Sequence, residues 1–341
     1  MSDLRYDPVF DQWIAIARNR FGRPMELRQS EAVEQQILCP FCIGNEEETP
    51  KPRAVYLPDG SQADVDDDGS QWTVRVVPNK FPAFSNLATC DVGPDNVLSN
   101  ATSVGPYQLT LAAGDQEVIV CSPRHVCSLS DLHDVELQIC FAAMQDRIRT
   151  MEQTAGVCHS MLFLNCGAPA GASLSHLHAQ LIGSPLASED LLNRIERNRT
   201  HRSEAGQSLI ESCARWEFDQ KRRLIYQSDH FTVFCPFASR VPFQVWLVPR
   251  HAEQKFAEAP IEMREELARS CRWLIEKMES MVEHPAYNLM LHQAPVSHSE
   301  GDHWFFEIMP RLTQQAGYEQ GTGIWVNPVS PETSARRLQL R

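Results

Sequence analysis

A chain of 341 residues, 43% of them hydrophobic, is long enough for two ordinary domains, and its composition excludes collagen, coiled-coil and disordered classes. Its 44 acidic against 31 basic residues leave a formal charge of -13, which opposes non-specific binding to nucleic acid or an anionic membrane, because either needs a broad basic surface. No nucleic acid and no membrane are expected as partners, so any bound phosphate must be met locally. The N-terminal MSDLRYDPVFDQW has no basic segment leading into an apolar run, and no stretch approaches a bilayer span. Eleven cysteines without secretory context then read as reduced thiols or metal ligands, and a cytoplasmic protein is expected.

Residues 10–17 (FDQWIAIA) read as a strand leading into a turn with Arg18, Arg20, Arg23 and Pro24. Clustered guanidinium groups in an acidic chain suit a phosphate clamp; a solvated turn is the alternative. In Cys39-Pro-Phe-Cys42, two thiolates on a tight knuckle take two corners of a metal tetrahedron, whereas the rival reading, a redox pair, lacks a βαβ context. Residues 44–70 read as an acidic loop. Strands are predicted over 72–77, 117–121 and 161–164. A helix is predicted from about 129 to 151 on Leu132, Val135, Ile139, Ala143, Met144 and Ile148, mostly at three- and four-residue steps.

From 165 to 183 the chain reads NCGAPAGASLSHLHAQLIG. Polar and apolar residues alternate from 176 to 181, so a strand places His176, His178 and Gln180 on one face and Leu177, Ala179 and Leu181 toward a core. Gly167 and Gly171 bracket a turn-prone lead ending in Ser173, backbone that can approach a phosphate closely. Residues 191–199 look helical, and the polar stretch 194–208 is a plausible boundary. Two halves follow, 1–195 and 196–341.

The second half repeats the first in the order of its elements. His251 follows His125 by 126 residues and His303 follows His176 by 127, with a strand, a Pro-Arg-His turn and a long helix between in both copies. Trp216 stands where the first half has Cys42, and Phe305 where it has His178. The comparison sorts the first-half residues by role. Cys39, Cys42, His125 and His176 form a Cys2His2 set that closes a tetrahedral zinc site, one structural zinc per chain. His178 is then surplus to the metal, rigidly placed and free to act as a nucleophile; a satisfied surface histidine is the alternative.

These residues resemble the galactose-1-phosphate uridylyltransferase family, the nucleotidyltransferase branch of the histidine-triad superfamily. The likeness rests on Trp13, Arg20, Arg23-Pro24, Cys39-Pro-Phe-Cys42 with Gly44-Asn45-Glu46, Ser122-Pro-Arg-His125, Asn165-Cys-Gly167 through Ser173, His176-Leu-His178-Ala-Gln180 and Gly317-Tyr-Glu319. It implies an α+β fold of two related halves, each an antiparallel sheet packed with a long helix. It implies a hexose-1-phosphate nucleotidylyltransferase of the UDP-glucose:galactose-1-phosphate uridylyltransferase type, whose double displacement runs through a nucleotidyl-histidine on His178, with Gln180 and Ser173 holding phosphoryl oxygens. Arg20, Arg23, Asn79, Asn165 and Gly171 would contact the nucleotide, and Tyr318 and Glu319, supplied by the partner of a homodimer, the sugar phosphate. A nucleotide sugar and a sugar 1-phosphate are the implied partners, in galactose metabolism. The C-terminal GYEQGTGIWVNPVSPE reads as a strand, and its Gly321-Thr-Gly323 is similar to adenylyl-transferring ADP-glucose phosphorylase relatives, the alternative that leaves base and sugar open. Hydrolysis of the nucleotide sugar is an enzymatic alternative, and an idle zinc-containing binding protein a non-enzymatic one. Trp216, Phe305 and Glu307 stand where relatives have further ligands, so a second metal near His292, His303 and Glu307 is not expected.

Overall fold

Strands with one buried and one half-buried face form the framework of the chain, as in the strictly alternating exposure of His159–Cys166. The computed structural model describes residues 2–18, 38–64, 71–86, 101–110, 112–251, 255–296 and 303–339. In chain order the first half contributes β1 (Asp3–Asp7), β2 (Gln12–Ile16), β3 (Ala54–Tyr56), β4 (Val74–Pro78), β5 (Ser85–Asn86), β6 (Thr102–Val104), β7 (Tyr107–Leu109), β8 (Ala113–Val120), α1 (Asp134–Glu152), β9 (His159–Cys166) and β10 (His178–Ser184). The second contributes α2 (Glu189–Ala205), α3 (Leu209–Gln220), β11 (Leu224–Gln227), β12 (Phe231–Phe234), β13 (Val245–Pro249), α4 (Ile261–Glu279), β14 (Tyr287–His292), β15 (Phe305–Pro310), α5 (Gly317–Thr322), β16 (Trp325–Asn327) and α6 (Pro331–Gln339).

The fold is α+β, as expected, but the two halves do not keep separate sheets. One antiparallel sheet runs β11-β12-β13-β15-β14-β9-β10-β8-β4-β3, and the halves join edge to edge where β14 pairs with β9. Phe163 sits opposite Met290 at this seam, and 290 − 163 = 127, the offset that separates His303 from His176. A pseudo-two-fold axis of the duplication therefore passes through that pair. Helices α1 and α4 pack against each other on one face of the sheet, α1 against β9 and β10. Leu137, Phe141, Met144 and Ile148 of α1 and Leu267, Leu274 and Met278 of α4 share a single apolar cluster with Leu164, Leu181, Leu289 and Phe306. Among the described residues, a smaller sheet, β1-β2-β16, stands beside the main one.

Several expectations shift in detail. The helix expected from 129 begins at Asp134, because Leu129–Asp131 forms its own short 3-10 turn and the Glu136 carboxylate accepts the His133 N–H at 2.8 Å to start α1. Val135 is 54% exposed and leaves the apolar stripe. The polar stretch 194–208 is helical up to Ala205, so the boundary drawn at 195 falls within α2; Gly206, at φ 75, ends that helix. The C-terminal GYEQGT, read as strand, is α5, and only Trp325–Asn327 beyond it is extended. Cys213 and Trp216 lie on helix α3, whereas Cys39 and Cys42 lie on a tight turn closed by Cys42 N–H to the Cys39 carbonyl at 3.2 Å. The second copy has lost the shape of the knuckle as well as one thiol.

Candidate functional site

The knuckle Cys39–Cys42 is stitched to the turn after β8 by the Ile43 N–H on the Pro123 carbonyl at 3.0 Å, which brings it to His125 and, at the lead into β10, His176. The four side-chain ligand atoms lie within 4.8 Å of one another. Cys39 Sγ is 3.5 Å and Cys42 Sγ 3.6 Å from His176 Nδ1, and Cys42 Sγ is 3.4 Å from His125 Nδ1. A tetrahedral zinc with ordinary Zn–N and Zn–S bonds has N···S edges of about 3.6 Å, so the cluster fits that ion. His176 Nε2–H donates to the Ser122 carbonyl at 2.9 Å, which fixes the bare nitrogen on the thiol side. Burial, then the neighbouring Cys39, pushes the Cys42 thiol up to about 11, so two thiolates here call for a cation. The second copy keeps the equivalent bond, His303 Nε2 to the Pro249 carbonyl at 2.7 Å, again 127 residues on from 122. Its Nδ1, by contrast, is buried without a partner among the described residues.

His178 opens β10 opposite Val120. Its Nδ1 is 2.8 Å from the His176 carbonyl, an oxygen that can only accept, so Nδ1 carries the proton and Nε2 is bare. Burial holds its pKa below the ordinary 6.5, which keeps the ring neutral and nucleophilic at pH 7. Phe41, between the two cysteines, meets both rings edge-on, with centroids 5.9 Å from His176 and 5.2 Å from His178. Two residues on, Gln180 shares that face of the strand. The Ala83 N–H donates to Gln116 Oε1 at 3.0 Å and Gln116 Nε2 donates to Gln180 Oε1 at 3.0 Å, a chain that fixes the Gln180 amide with its NH2 left to donate.

Asn79 follows β4 and is tied to the same chain, its N–H on the Gln116 carbonyl at 2.9 Å and its Oδ1 accepting from Phe81 N–H at 2.8 Å. Asn165, next to last in β9, stands opposite Asn288, and its Oδ1 accepts from Asn288 Nδ2 at 2.7 Å. Gly171, at φ 89, has only the Asn165 amide nitrogen near where a Cβ would stand, at 3.7 Å, so the glycine is required by conformation and leaves the backbone open. Ser173 is exposed just beyond it. Tyr318 is exposed on α5, and Glu319 closes its own helix, Oε2 accepting the Ala316 N–H at 2.7 Å. Arg20 and Arg23 lie outside the described residues. Sequence reasoning missed Gln116, Phe41 and Asn288. Nothing marks Gln116 in the sequence, but Phe41 sits inside the Cys-x-x-Cys motif, and Asn288 faces Asn165 across a seam only the tertiary pairing creates.

A duplicated antiparallel sheet whose first half alone carries a His-x-His strand is the class of protein seen here, and comparison with known proteins names its family. Residues 1–186 match the N-terminal domain and 194–316 the C-terminal domain of galactose-1-phosphate uridyl transferase, so the chain belongs to that family. An ADP-glucose phosphorylase of Arabidopsis thaliana is 30% identical over 99% of this chain and 92% of its own length. A galactose-1-phosphate uridylyltransferase of Thermotoga maritima is 25% identical over 99% and 98%. The crystal structure of the Arabidopsis ADP-glucose phosphorylase with bound ADP-glucose superimposes with a TM-score of 0.80 at 28% identity, covering 100% of this chain and 99% of that one. No described helix is long and apolar enough to cross a membrane.

Proposed function

We propose that this protein moves a nucleotidyl group from a nucleotide sugar to a phosphate acceptor through a covalent nucleotidyl-His178. The observation that carries the reading is the tautomer of His178, fixed by the His176 carbonyl with Nε2 bare in a neutral ring. The Nε2 lone pair forms a bond to the α-phosphorus, the bond from that phosphorus to the bridging oxygen breaks, and the sugar 1-phosphate departs with the electron pair. An acceptor phosphate oxygen then attacks, and the pair returns to Nε2. The attacking Nε2 is already unprotonated, and the oxygen that leaves in the first step and the one that enters in the second both belong to phosphate anions, so no general base is needed. The Gln180 NH2, the Ser173 hydroxyl and the backbone at Gly171 meet the equatorial oxygens; Asn165, Asn79, Arg20 and Arg23 hold the nucleotide. Cys39, Cys42, His125 and His176 would hold one zinc, which supplies rigidity to the strand that presents His178. Tyr318, exposed on α5, and Glu319 reach the sugar phosphate from the second subunit of a homodimer, as the family resemblance implies.

The likeness to an ADP-glucose phosphorylase with its nucleotide sugar bound favours adenine over uracil, reversing the order in which the sequence placed them. Uridylyl transfer is the second reading, favoured by the family match. Mass spectrometry of the intact protein after separate incubation with ADP-glucose and UDP-glucose decides: an adenylyl adduct from the first is expected, absent in His178→Ala. An adduct that survives that substitution would move the nucleophile elsewhere, and label appearing only as free nucleotide, with none in added glucose 1-phosphate, would make the enzyme a hydrolase.

A further inference from the structure

The second half contributes more to the first half's site than a sheet edge. Where β14 pairs with β9, Asn288 stands opposite Asn165, and its Nδ2 donates both to Asn165 Oδ1 at 2.7 Å and to the Ala170 carbonyl at 2.9 Å, inside the glycine-bracketed loop. Asn288 Oδ1 accepts from Arg311 Nε at 2.5 Å, and Arg311 directly follows β15. A guanidinium is thereby bound into the Asn165 loop by one intervening amide. With its Oδ1 taken, Asn165 keeps only its NH2 to offer a ligand.

Arg311 makes no ion pair with a carboxylate among the described residues. The nearby buried acid, Glu307, is already committed: Arg240 donates to both its oxygens at 2.7 and 2.8 Å, and His292 Nε2 lies 2.9 Å from Oε2. A half-buried guanidinium without a counter-charge, in a chain of formal charge -13, is a cation awaiting an anion. Burial, then Arg240, lower its pKa, and the opposing pull of Glu307, already bound by Arg240, does not make up for them.

Position names the anion. Across the sheet the order is Gln180 on β10, Asn165 on β9, Asn288 on β14, Arg311 after β15. With strands about 4.8 Å apart, a guanidinium lying against Asn288 is two spacings, about 10 Å, from the strand of the nucleophile. That is too far for the α-phosphorus but suits the phosphate beyond it. We propose that Arg311 is the anion-binding residue for the sugar 1-phosphate group, and that through Asn288 it also holds the Asn165 amide in its donating orientation.

This rests on the nucleotidyl-His178 reading, and the test keeps the two apart. The wild-type adduct is first formed with ADP-glucose and then discharged with increasing glucose 1-phosphate. For Arg311→Ala the half-saturating concentration of glucose 1-phosphate should rise roughly 10- to 100-fold, as for loss of a charge-assisted hydrogen bond. Arg311→Lys should recover part of that loss, and added guanidinium should partly rescue Arg311→Ala, which a merely structural role would not allow. Half-saturation within about twofold of wild type in Arg311→Lys and Arg311→Ala, with a normal adduct, overturns the assignment of Arg311 alone. Failure of the wild type to form any adduct overturns both readings.

Discussion

His176 and His178 stand two residues apart yet carry their protons on opposite nitrogens. His176 donates from Nε2 to Ser122 and turns a bare Nδ1 to the thiols; His178 donates from Nδ1 to His176 and keeps Nε2 bare. Backbone carbonyls, not acidic side chains, set both tautomers. A different residue carries a cost of burial. Asp7 is 3% exposed, its Oδ1 accepting from the Val9 and Phe10 N–H groups while Oδ2 is buried without a partner. Burial raises its pKa from 3.8 to about 6. Below pH 4 the carboxyl is protonated folded or unfolded, so it costs nothing; as pH rises toward 6 the unfolded chain sheds the proton more readily, and stability falls. Asp7→Asn retains the acceptor without the charge. It should match wild type near pH 4 and exceed it by about 2–3 kcal/mol at pH 7.5 in urea unfolding. A constant difference across that range would show that Asp7 is charged in the native state at no cost.

At the scale of elements, the Cys2His2 cluster joins three pieces that do not otherwise share a strand: the knuckle, the turn after β8 and the lead into β10. β10 is itself paired on both edges, to β8 and β9, so displacement of its lead moves the site strand without unpicking the sheet. Cys42→Ser should lose the zinc found by elemental analysis of wild type, one equivalent per chain, and destabilise the protein by on the order of 3–5 kcal/mol. His178→Ala should leave both metal content and melting temperature close to wild type. Two equivalents of metal in the wild type, or equal losses in the two variants, would contradict the division of the two histidines between staple and chemistry. The second copy illustrates the converse: with Cys213 and Trp216 on a helix, His303 keeps its carbonyl bond and its fixed ring but has no thiol pair to face.

Across the whole molecule, the seam at β9 and β14 decides how far the halves are independent. Helices α1 and α4 share one apolar cluster over it, and the Asn165–Asn288–Arg311 chain crosses it on the other face. Residues 1–195 expressed alone should therefore expose the β9 edge and half of that cluster, and aggregate or pair through the bare edge, whereas co-expression with 196–341 should restore a soluble complex. A monodisperse, folded monomer of 1–195 would mean that the seam is dispensable.

Much of this protein was legible in the chain itself. Cysteine spacing, a period-two strand and a repeat offset of 126 to 127 are local or counting signals, and they sufficed for the fold class, the coming together of Cys39, Cys42, His125 and His176 and the likeness to a family, because backbone periodicity and side-chain type depend on the order of residues alone. The helical nature of 200–205 and of α5 escaped the same reasoning, since the polar end of a helix closed by Gly206, and a short polar helix, look like loops when only apolar periodicity is counted. Which nitrogen each histidine leaves bare, the Gln116 amide that orients Gln180, and the arrival of Asn288 and Arg311 beside Asn165 were decided by tertiary structure. Each depends on strands distant in sequence being laid edge to edge, and the hydrogen bonds that result have no signature in the order of residues.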